Sequence, residues 1–314
     1  MPPSASATTP AALPAIRPGS LAAWRIAIRP RTLWIAMIPV VVASSLAWAQ
    51  DGVFHAWVAA IALAAAVLMQ VISNLQNDVG YTQRGGETRG HVGLPRATAH
   101  GWLAPSAVNR AIVAAIVAAQ LIALPLMIRG GWPIVLTSVT STIAAWAYMG
   151  GPRPIAYTPW GEAVVFVFFG LVAVLGAYYV QAGSITVAAW LAAAAIGMHA
   201  AAVLLVNNYR DRDHDAATGR RTLATVIPGP AALRLYALLL VVPFVLAIGI
   251  AATTGSRWYV LPLIALPRAI GLARALPGAP PGAAQNALLF RTVLLEVAFG
   301  LLLSLAAILQ RIAP

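Results

Sequence analysis

The sequence has no cysteine, no lysine and few charged residues of any kind. The absence of cysteine excludes a disulfide framework and a thiolate metal site. Charged side chains make up only 9% of the 314 residues, whereas soluble globular domains carry about a quarter. Because 61% of the residues are hydrophobic, the composition predicts an integral membrane protein.

The basic residues are all arginine, and they give the chain a net charge of +12. They lie between apolar runs and do not form a continuous basic domain, so we expect no nucleic-acid partner. This distribution is typical of the short cytoplasmic loops of membrane proteins. The exclusive use of arginine indicates the coding bias of a GC-rich bacterium, and we expect the bacterial cytoplasmic membrane as the location.

The apolar runs predict an all-α fold with nine membrane-spanning helices around a central cavity, since each run approaches the roughly 20 residues that cross a bilayer. Residues 1–20, rich in Pro, Ala and Ser, are predicted to be a disordered tail, and residues 21–314 a single transmembrane domain. The nine predicted segments are 32–50, 55–76, 106–128, 132–150, 160–181, 185–207, 231–253, 257–274 and 287–310.

The arginines also predict the orientation of the chain. With a cytoplasmic N-terminus, seventeen of the twenty arginines fall on the cytoplasmic side. The positive-inside rule therefore favours this orientation, with the C-terminus outside.

Five of the eight acidic residues fall in two loops, after the second and the sixth predicted helices. Asn74 and Asp78 read N-x-x-x-D at the end of the second helix, and Asn207, Asp211 and Asp215 extend the same spacing at the end of the sixth. The two copies are four helices apart, which indicates a weak internal duplication.

Residues four apart lie on one helix face, so each motif predicts a column of oxygen ligands. Hard oxygen ligands at a helix C-terminus favour Mg²⁺, which proteins often hold with a few carboxylates and substrate phosphates. Arginines interleaved with the acids of both loops are placed to contact phosphate oxygens: Arg84, Arg89, Arg96, Arg210, Arg220 and Arg221. Asp213 lies off the face of Asp211 and Asp215. The sequence thus predicts a diphosphate site at the cytoplasmic surface.

The alternative for each loop alone is a solvated surface with exposed salt bridges, which is what acid–arginine clusters usually are. Two loops with one spacing at equivalent helix ends favour the functional interpretation. A transporter is the alternative from a different class, but it would carry charges near the bilayer midplane. Only His199 and Glu296 are candidates there, and His199 is more readily explained by packing.

The stretch from Asn207 to Ala224, NNYRDRDHDAATGRRTLA, resembles the second aspartate motif of the UbiA superfamily of intramembrane prenyltransferases. Within that superfamily the chain is most similar to the menaquinone branch. The similarity is carried by RPRTLWIAMIPV at 29–40, SNLQNDVGYTQRGGE at 73–87 and AYMGGPRPIAYTPWGE at 147–162.

The resemblance implies Mg²⁺-dependent transfer of a polyprenyl group from an allylic diphosphate to an aromatic acceptor. The implied acceptor is 1,4-dihydroxy-2-naphthoate, which loses its carboxyl group as CO₂; 4-hydroxybenzoate or another quinone-pathway acceptor is the alternative. Asp78, Asp211 and Asp215 are the implied catalytic and metal-binding acids. The implied substrate-binding residues are Asn74, Asn77, Asn207, Asn208, Arg96, Arg153, Arg210 and Arg220.

Three further residues have two interpretations each. Tyr148 is a candidate to face the prenyl carbocation, or an interfacial anchor. Glu162, at the start of a helix, is either catalytic or favourable to the helix dipole. The first motif lacks the usual second carboxylate, because Tyr81 and Thr82 occupy those positions, and Glu87 is the expected replacement as a metal ligand or else an exposed charge.

Overall fold

The computed structural model describes residues 16–85 and 94–313, and every regular element in these ranges is helical. The α-helices are α1 Leu21–Ile28, α2 Leu33–Asp51, α3 Ala56–Gln83, α4 Pro105–Gly130, α5 Trp132–Ala147, α6 Gly161–Val165, α7 Gly176–Ala182, α8 Val187–Arg210, α9 Arg212–Ala217, α10 Leu223–Val226, α11 Gly229–Thr254, α12 Leu266–Ala275 and α13 Ala283–Ile312. A π-helical stretch, Phe166–Leu175, joins α6 to α7, and a 3₁₀ stretch, Arg257–Ala265, leads into α12.

In the described part of the chain, eight helical segments are long and apolar enough to cross a membrane. They confirm the all-α membrane fold, with α1 and α2 forming one segment and α6 to α7 another. The ninth predicted segment corresponds to α5, which is apolar but has only 16 residues. The count of nine spanning helices is therefore not confirmed.

The first segment breaks at Arg29, where α1 ends and a short 3₁₀ turn leads into α2. Arg29 has a φ of 53°, and among the described residues no other non-glycine has a positive φ. Pro30 follows it and cannot continue the hydrogen-bonding of α1. The break turns the Arg29 side chain towards the interior of the bundle.

The centre of the bundle is α8, which packs against α11, α13, α2 and the π-helical stretch. Its buried face consists largely of alanine, so neighbouring backbones approach closely, as is common between membrane helices. The crossing with the π-helical stretch occurs at Gly170 and Gly197. A Cβ at Gly197 would lie 2.6 Å from the carbonyl oxygen of Phe166.

Helices α8 and α13 run antiparallel. Ile196 packs near Gly300 at one level of the pair, and the Arg210 side chain donates to Asn286 Oδ1 (2.7 Å) nearer the start of α13. This pairing places the C-terminal end of α8, with the second aspartate motif, beside the N-terminal end of α13.

Candidate functional site

A cavity of about 310 Å³ lies inside the bundle, between α2, α3, α4, α5, α8 and the π-helical stretch. Its polar end carries four arginines, named here the arginine wall: Arg29, Arg96, Arg210 and Arg220. The rest is mainly apolar, with lining residues that include Ala62, Leu126, Ile134, Phe168, Phe169 and Val180. One end of the cavity thus suits an anion and the other a hydrocarbon chain.

The end of α3 supports the helix break at Arg29. Asn74 Nδ2 donates to the carbonyl oxygen of Ile28 (2.7 Å) and to Thr32 Oγ1 (3.0 Å). Thr32 in turn donates to the carbonyl oxygen of Arg29 (2.9 Å). The amide predicted to bind substrate is therefore engaged in holding the backbone that presents Arg29. Direct contact between Asn74 and a substrate stays a prediction.

Asp78, one turn further along α3, is fully buried and anchors the segment that contains Arg96. Its Oδ2 accepts from Ala97 N (2.8 Å), and its Oδ1 accepts from Thr98 N (2.9 Å) and Thr98 Oγ1 (2.7 Å). Both carboxylate oxygens are thus already hydrogen-bonded. A metal ion would have to displace these donors, so the geometry favours an anchoring role over the predicted metal ligation.

The end of α8 presents Asn207 and Arg210 to the cavity. Arg210 donates to both carboxylate oxygens of Asp211, from Nε (2.8 Å) and Nη2 (2.6 Å), and also to Asn207 Oδ1 (3.0 Å). Asp211 is 2% exposed. A two-bond carboxylate–guanidinium pair of this kind fixes the orientation of the arginine.

The second pair joins Asp215 on α9 to Arg220. Arg220 Nη1 lies 3.0 and 3.1 Å from the two Asp215 oxygens, and its Nε donates to the carbonyl oxygen of Ala156. Burial raises the pKa of the Asp215 carboxyl, although the Arg220 guanidinium opposes the shift. Asp213 between the motif acids is exposed, as its position off their shared face predicts.

The aspartates of both motifs lie behind the arginine wall. Asp78, Asp211 and Asp215 do not line the cavity, whereas the four arginines do. Across residues 16–85 and 94–313, no three His, Cys, Asp or Glu residues form a group that holds a metal. Of the predicted ligand columns, the second consists of arginine-paired carboxylates and the first ends in an Asp78 bonded to Ala97 and Thr98, while the four arginines line the cavity.

Two residues of this site went unassigned in the sequence analysis. Arg29 is one, and its Nε is buried without a hydrogen-bond partner in the described ranges. Tyr81 is the other: its ring lies 3.5 Å from Arg96 Cζ, measured to the ring centroid. For Arg29 the sequence signal was its place in the RPR stretch. For Tyr81 it was an aromatic residue where a carboxylate was expected.

Tyr148 lines the cavity immediately after α5. Asn77 also lines the cavity. Arg153 is exposed and does not line it, so contact between Arg153 and substrate stays a prediction.

Asn208 and Glu162 form a pair on the far side of α8. Asn208 Nδ2 donates to Glu162 Oε1 (2.9 Å), and both residues are buried outside the cavity lining. The contact ties α8 to α6, which favours the structural interpretation of Glu162. His199 packs edge-on against Phe299 with its Nε2 3.3 Å from the carbonyl oxygen of Leu240, in agreement with the packing interpretation.

Glu87, the expected replacement for the missing carboxylate, lies outside the described residues. For the remaining predicted ligands, the oxygen atoms that they provide show whether the site fits Mg²⁺. Asp211 and Asp215 hold carboxylate oxygens one turn apart beside Asn207, and these oxygens are bonded to the side chains of Arg210 and Arg220, which a phosphate can attract, whereas those of Asp78 are bonded partly to backbone N–H groups. Mg²⁺ needs only one or two carboxylates when phosphate supplies further ligands. The second motif therefore fits a magnesium ion bound together with a diphosphate.

Comparisons with known proteins match most of the chain to prenyltransferases. The model of the UbiA prenyltransferase family matches residues 36–295. The chain is 34% identical over 278 residues to a 1,4-dihydroxy-2-naphthoate octaprenyltransferase of Escherichia coli K12, covering 86% of this chain and 90% of that protein. A Mycobacterium leprae protein of the same name is 34% identical over 253 residues, covering 80% and 84%.

A solved structure has the same fold. The UbiA homolog from Archaeoglobus fulgidus bound to GPP and Mg²⁺ superposes with a TM-score of 0.65 at 15% identity, covering 90% of this chain and 99% of that one. At this identity the likeness concerns the fold.

Proposed function

The chain belongs to the UbiA prenyltransferase family, and we propose that it transfers a polyprenyl group from an allylic diphosphate to 1,4-dihydroxy-2-naphthoate. In this reaction the C1–O bond of the prenyl diphosphate breaks and the diphosphate leaves with the electron pair. The acceptor ring attacks C1, and the carboxyl group at the attacking carbon leaves as CO₂. The curated relatives support this acceptor over 4-hydroxybenzoate.

The observation that carries the proposal is a cavity with the arginine wall at one end and an apolar interior. Guanidinium groups bind phosphate oxygens through paired hydrogen bonds. The cavity lining extends about 22 Å along α3, from Asn77 at the polar end to Ala62 in the apolar part, at the rise of an α-helix. An amphiphile with a diphosphate head and a long hydrocarbon tail matches both ends.

Magnesium is the proposed cofactor, held by Asp211 and Asp215 with the substrate diphosphate. When bound, it supplies positive charge that stabilises the leaving diphosphate. Arg210 and Arg220, released from these carboxylates, are then available to the phosphate oxygens. Asp78 and Glu87 stay predictions as metal ligands, and the hydrogen bonds of Asp78 support its role as an anchor.

The apolar cavity excludes water from the developing prenyl cation. Phe168 and Phe169 line it, and Tyr148 lines it where α5 ends. Aromatic faces stabilise a nearby cation. We therefore retain Tyr148 as the candidate for the ring that faces C1 of the donor, because it lines the cavity and is not exposed.

The chain is a multi-pass membrane protein. We propose that it resides in the bacterial cytoplasmic membrane with the N-terminus in the cytoplasm, which places the arginine wall at the cytoplasmic side. The distribution of arginines between loops supports this orientation. Residues 21–314 are proposed to form one domain.

The experiment is product identification by mass spectrometry. The purified protein, with Mg²⁺, is offered both aromatic acceptors and several prenyl diphosphates. We expect a prenylated and decarboxylated naphthoate product. We expect no product after EDTA has removed the Mg²⁺. A product formed only with 4-hydroxybenzoate would overturn the acceptor assignment, and no product with either acceptor would overturn the activity.

A further inference from the structure

The ring of Tyr81 lies between two arginines of the arginine wall. Arg96 Cζ is 3.5 Å from the ring centroid and Arg220 Cζ is 5.9 Å from it. Tyr81 is only 1% exposed, so these contacts are shielded from water. Cation–π attraction is strongest where the cation is desolvated, and both arginines are themselves buried.

The arrangement continues beyond Tyr81. Arg220 Cζ lies 5.7 Å from the ring centroid of Tyr157. Arg84, which is exposed, has its Cζ 5.9 Å from the centroid of the same ring. Three arginines from three different segments thus alternate with two tyrosines. This alternation connects the end of α3 to the segment after α9.

The backbone next to Arg96 is fixed by Asp78. Its carboxylate accepts hydrogen bonds from the two residues that follow Arg96, at 2.7 to 2.9 Å. Asp78 therefore fixes the base of the Arg96 side chain, and Tyr81, three residues later on α3, fixes its guanidinium group. Asp78 and Tyr81 therefore act on the same arginine.

A neutral ring differs in its effect from a carboxylate at this position. An aspartate between Arg96 and Arg220 would pair with both and cancel much of their charge. The ring holds both guanidinium groups in place without neutralising them, and the carboxylate paired with Arg220 is that of Asp215. Both arginines line the cavity, so their charge lies close to the end that is proposed to take the diphosphate.

We propose that Tyr81 is a positioning residue that holds Arg96 and Arg220 against the substrate diphosphate. On this side of the site we expect guanidinium groups to hold the diphosphate, in place of the metal ion that Asp78 and Glu87 were predicted to bind. We expect Asp211 and Asp215 to hold the magnesium. The inference rests on the proposed function and specifies how the same site neutralises its substrate.

The first test separates binding from turnover. Tyr81→Leu removes the ring, and we expect KM for the prenyl diphosphate to rise about tenfold, as loss of a buried cation–π contact gives, with a smaller change in kcat. Tyr81→Phe keeps the ring and should recover most of the affinity that Tyr81→Leu loses. Tyr179→Leu, which changes a half-buried tyrosine outside the cavity lining, is the matched control.

The second test counts metal ions without turnover. Equilibrium dialysis with Mg²⁺ and geranyl thiolodiphosphate, whose C–S bond resists cleavage, gives the metal bound per bound analogue. We expect a single Mg²⁺ in the unchanged protein and in Asp78→Asn, and its loss in Asp215→Asn. Tyr81→Asp, which places a carboxylate beside the arginines, should lower analogue affinity.

The outcomes distinguish the two proposals. Two magnesium ions in the unchanged protein, with one lost in a folded Asp78→Asn variant, would overturn the inference and leave the activity intact. An unchanged KM in Tyr81→Leu would also overturn it. Failure of the unchanged protein to bind the thiolodiphosphate would instead overturn the proposed function.

Discussion

At the scale of single residues, the arginines of the arginine wall are held by different kinds of contact. Arg210 and Arg220 are paired with the buried carboxylates of Asp211 and Asp215. Tyr81 holds a third arginine, and the helix break presents the fourth. We therefore expect the two paired carboxylates to bind magnesium only when their arginines contact another anion, which would connect metal binding to the diphosphate.

The second-motif aspartates should be indispensable. Asp211→Asn and Asp215→Asn are each expected to lower kcat by roughly 10²-fold or more, the usual effect of removing a group that stabilises developing charge. Asp213→Asn is the matched control, because Asp213 is exposed two residues from each of them. Turnover is measured at saturating Mg²⁺, and thermal unfolding checks that each variant is folded. Equal sensitivity of Asp213 would contradict the assignment of the helix face.

Magnesium and diphosphate should bind together. Because both carboxylates of the second motif are occupied by guanidinium groups, Mg²⁺ alone should leave the melting temperature in detergent nearly unchanged. Mg²⁺ with geranyl thiolodiphosphate should raise it, since a ligand that binds only the folded state stabilises that state. A comparable rise with Mg²⁺ alone would mean that a metal site exists before the diphosphate binds.

At the scale of elements, the shape of the cavity depends on where helices depart from regular geometry. The break at Arg29 turns a cation inwards, and the π-helical stretch widens the turn that carries Phe168 and Phe169. Such π-helical turns are often found at functional sites. The stretch is held against α8 by the crossing of Gly170 and Gly197.

A side chain at this crossing should destabilise the bundle. Gly197→Ala would place a Cβ 2.6 Å from the Phe166 carbonyl oxygen and 3.0 Å from Gly170 Cα. Overpacking of this kind costs about 1 to 3 kcal/mol, so the melting temperature should fall. Gly271→Ala on α12 is the control, since no atom lies within 4 Å of its Cβ position and the change favours helix by about 0.5 to 1 kcal/mol. Equal melting temperatures for both variants would show that the crossing relaxes freely.

The elements themselves could be predicted from the sequence, and their contacts only in part. Apolar runs identified the membrane helices, and four-residue spacing separated buried Asp211 and Asp215 from exposed Asp213. The partners of Asn74 could not be predicted, because Ile28 and Thr32 are more than forty positions away in the chain. The engagement of Asp78 likewise depends on how the segment after α3 folds back onto it.

At the scale of the whole molecule, one end of the bundle is rich in arginine and the other is not. The absence of cysteine makes the proposed orientation directly testable with single-cysteine variants. Arg221 and Arg257 are both exposed, after α9 and after α11 respectively. In sealed vesicles of known orientation, a membrane-impermeant maleimide should label Arg221→Cys only from the cytoplasmic side and Arg257→Cys only from the other. The reverse pattern would contradict the orientation and move the arginine wall outside.

The length of the cavity should limit the length of the prenyl chain. Ala62 lines the apolar part of the cavity about 22 Å along α3 from Asn77, at the rise of an α-helix. Ala62→Phe fills this region, so turnover of long polyprenyl diphosphates should fall while geranyl diphosphate, whose short tail stays near the arginine wall, is used as before. Ala60→Phe, two residues away on the exposed side of α3, is the matched control and should leave both substrates unaffected. The measurement is kcat/KM for a series of donors. An equal loss for short and long donors in Ala62→Phe would mean that the substitution distorts the diphosphate end, whereas no loss for any donor would mean that the prenyl tail leaves the cavity sideways into the lipid before it reaches Ala62.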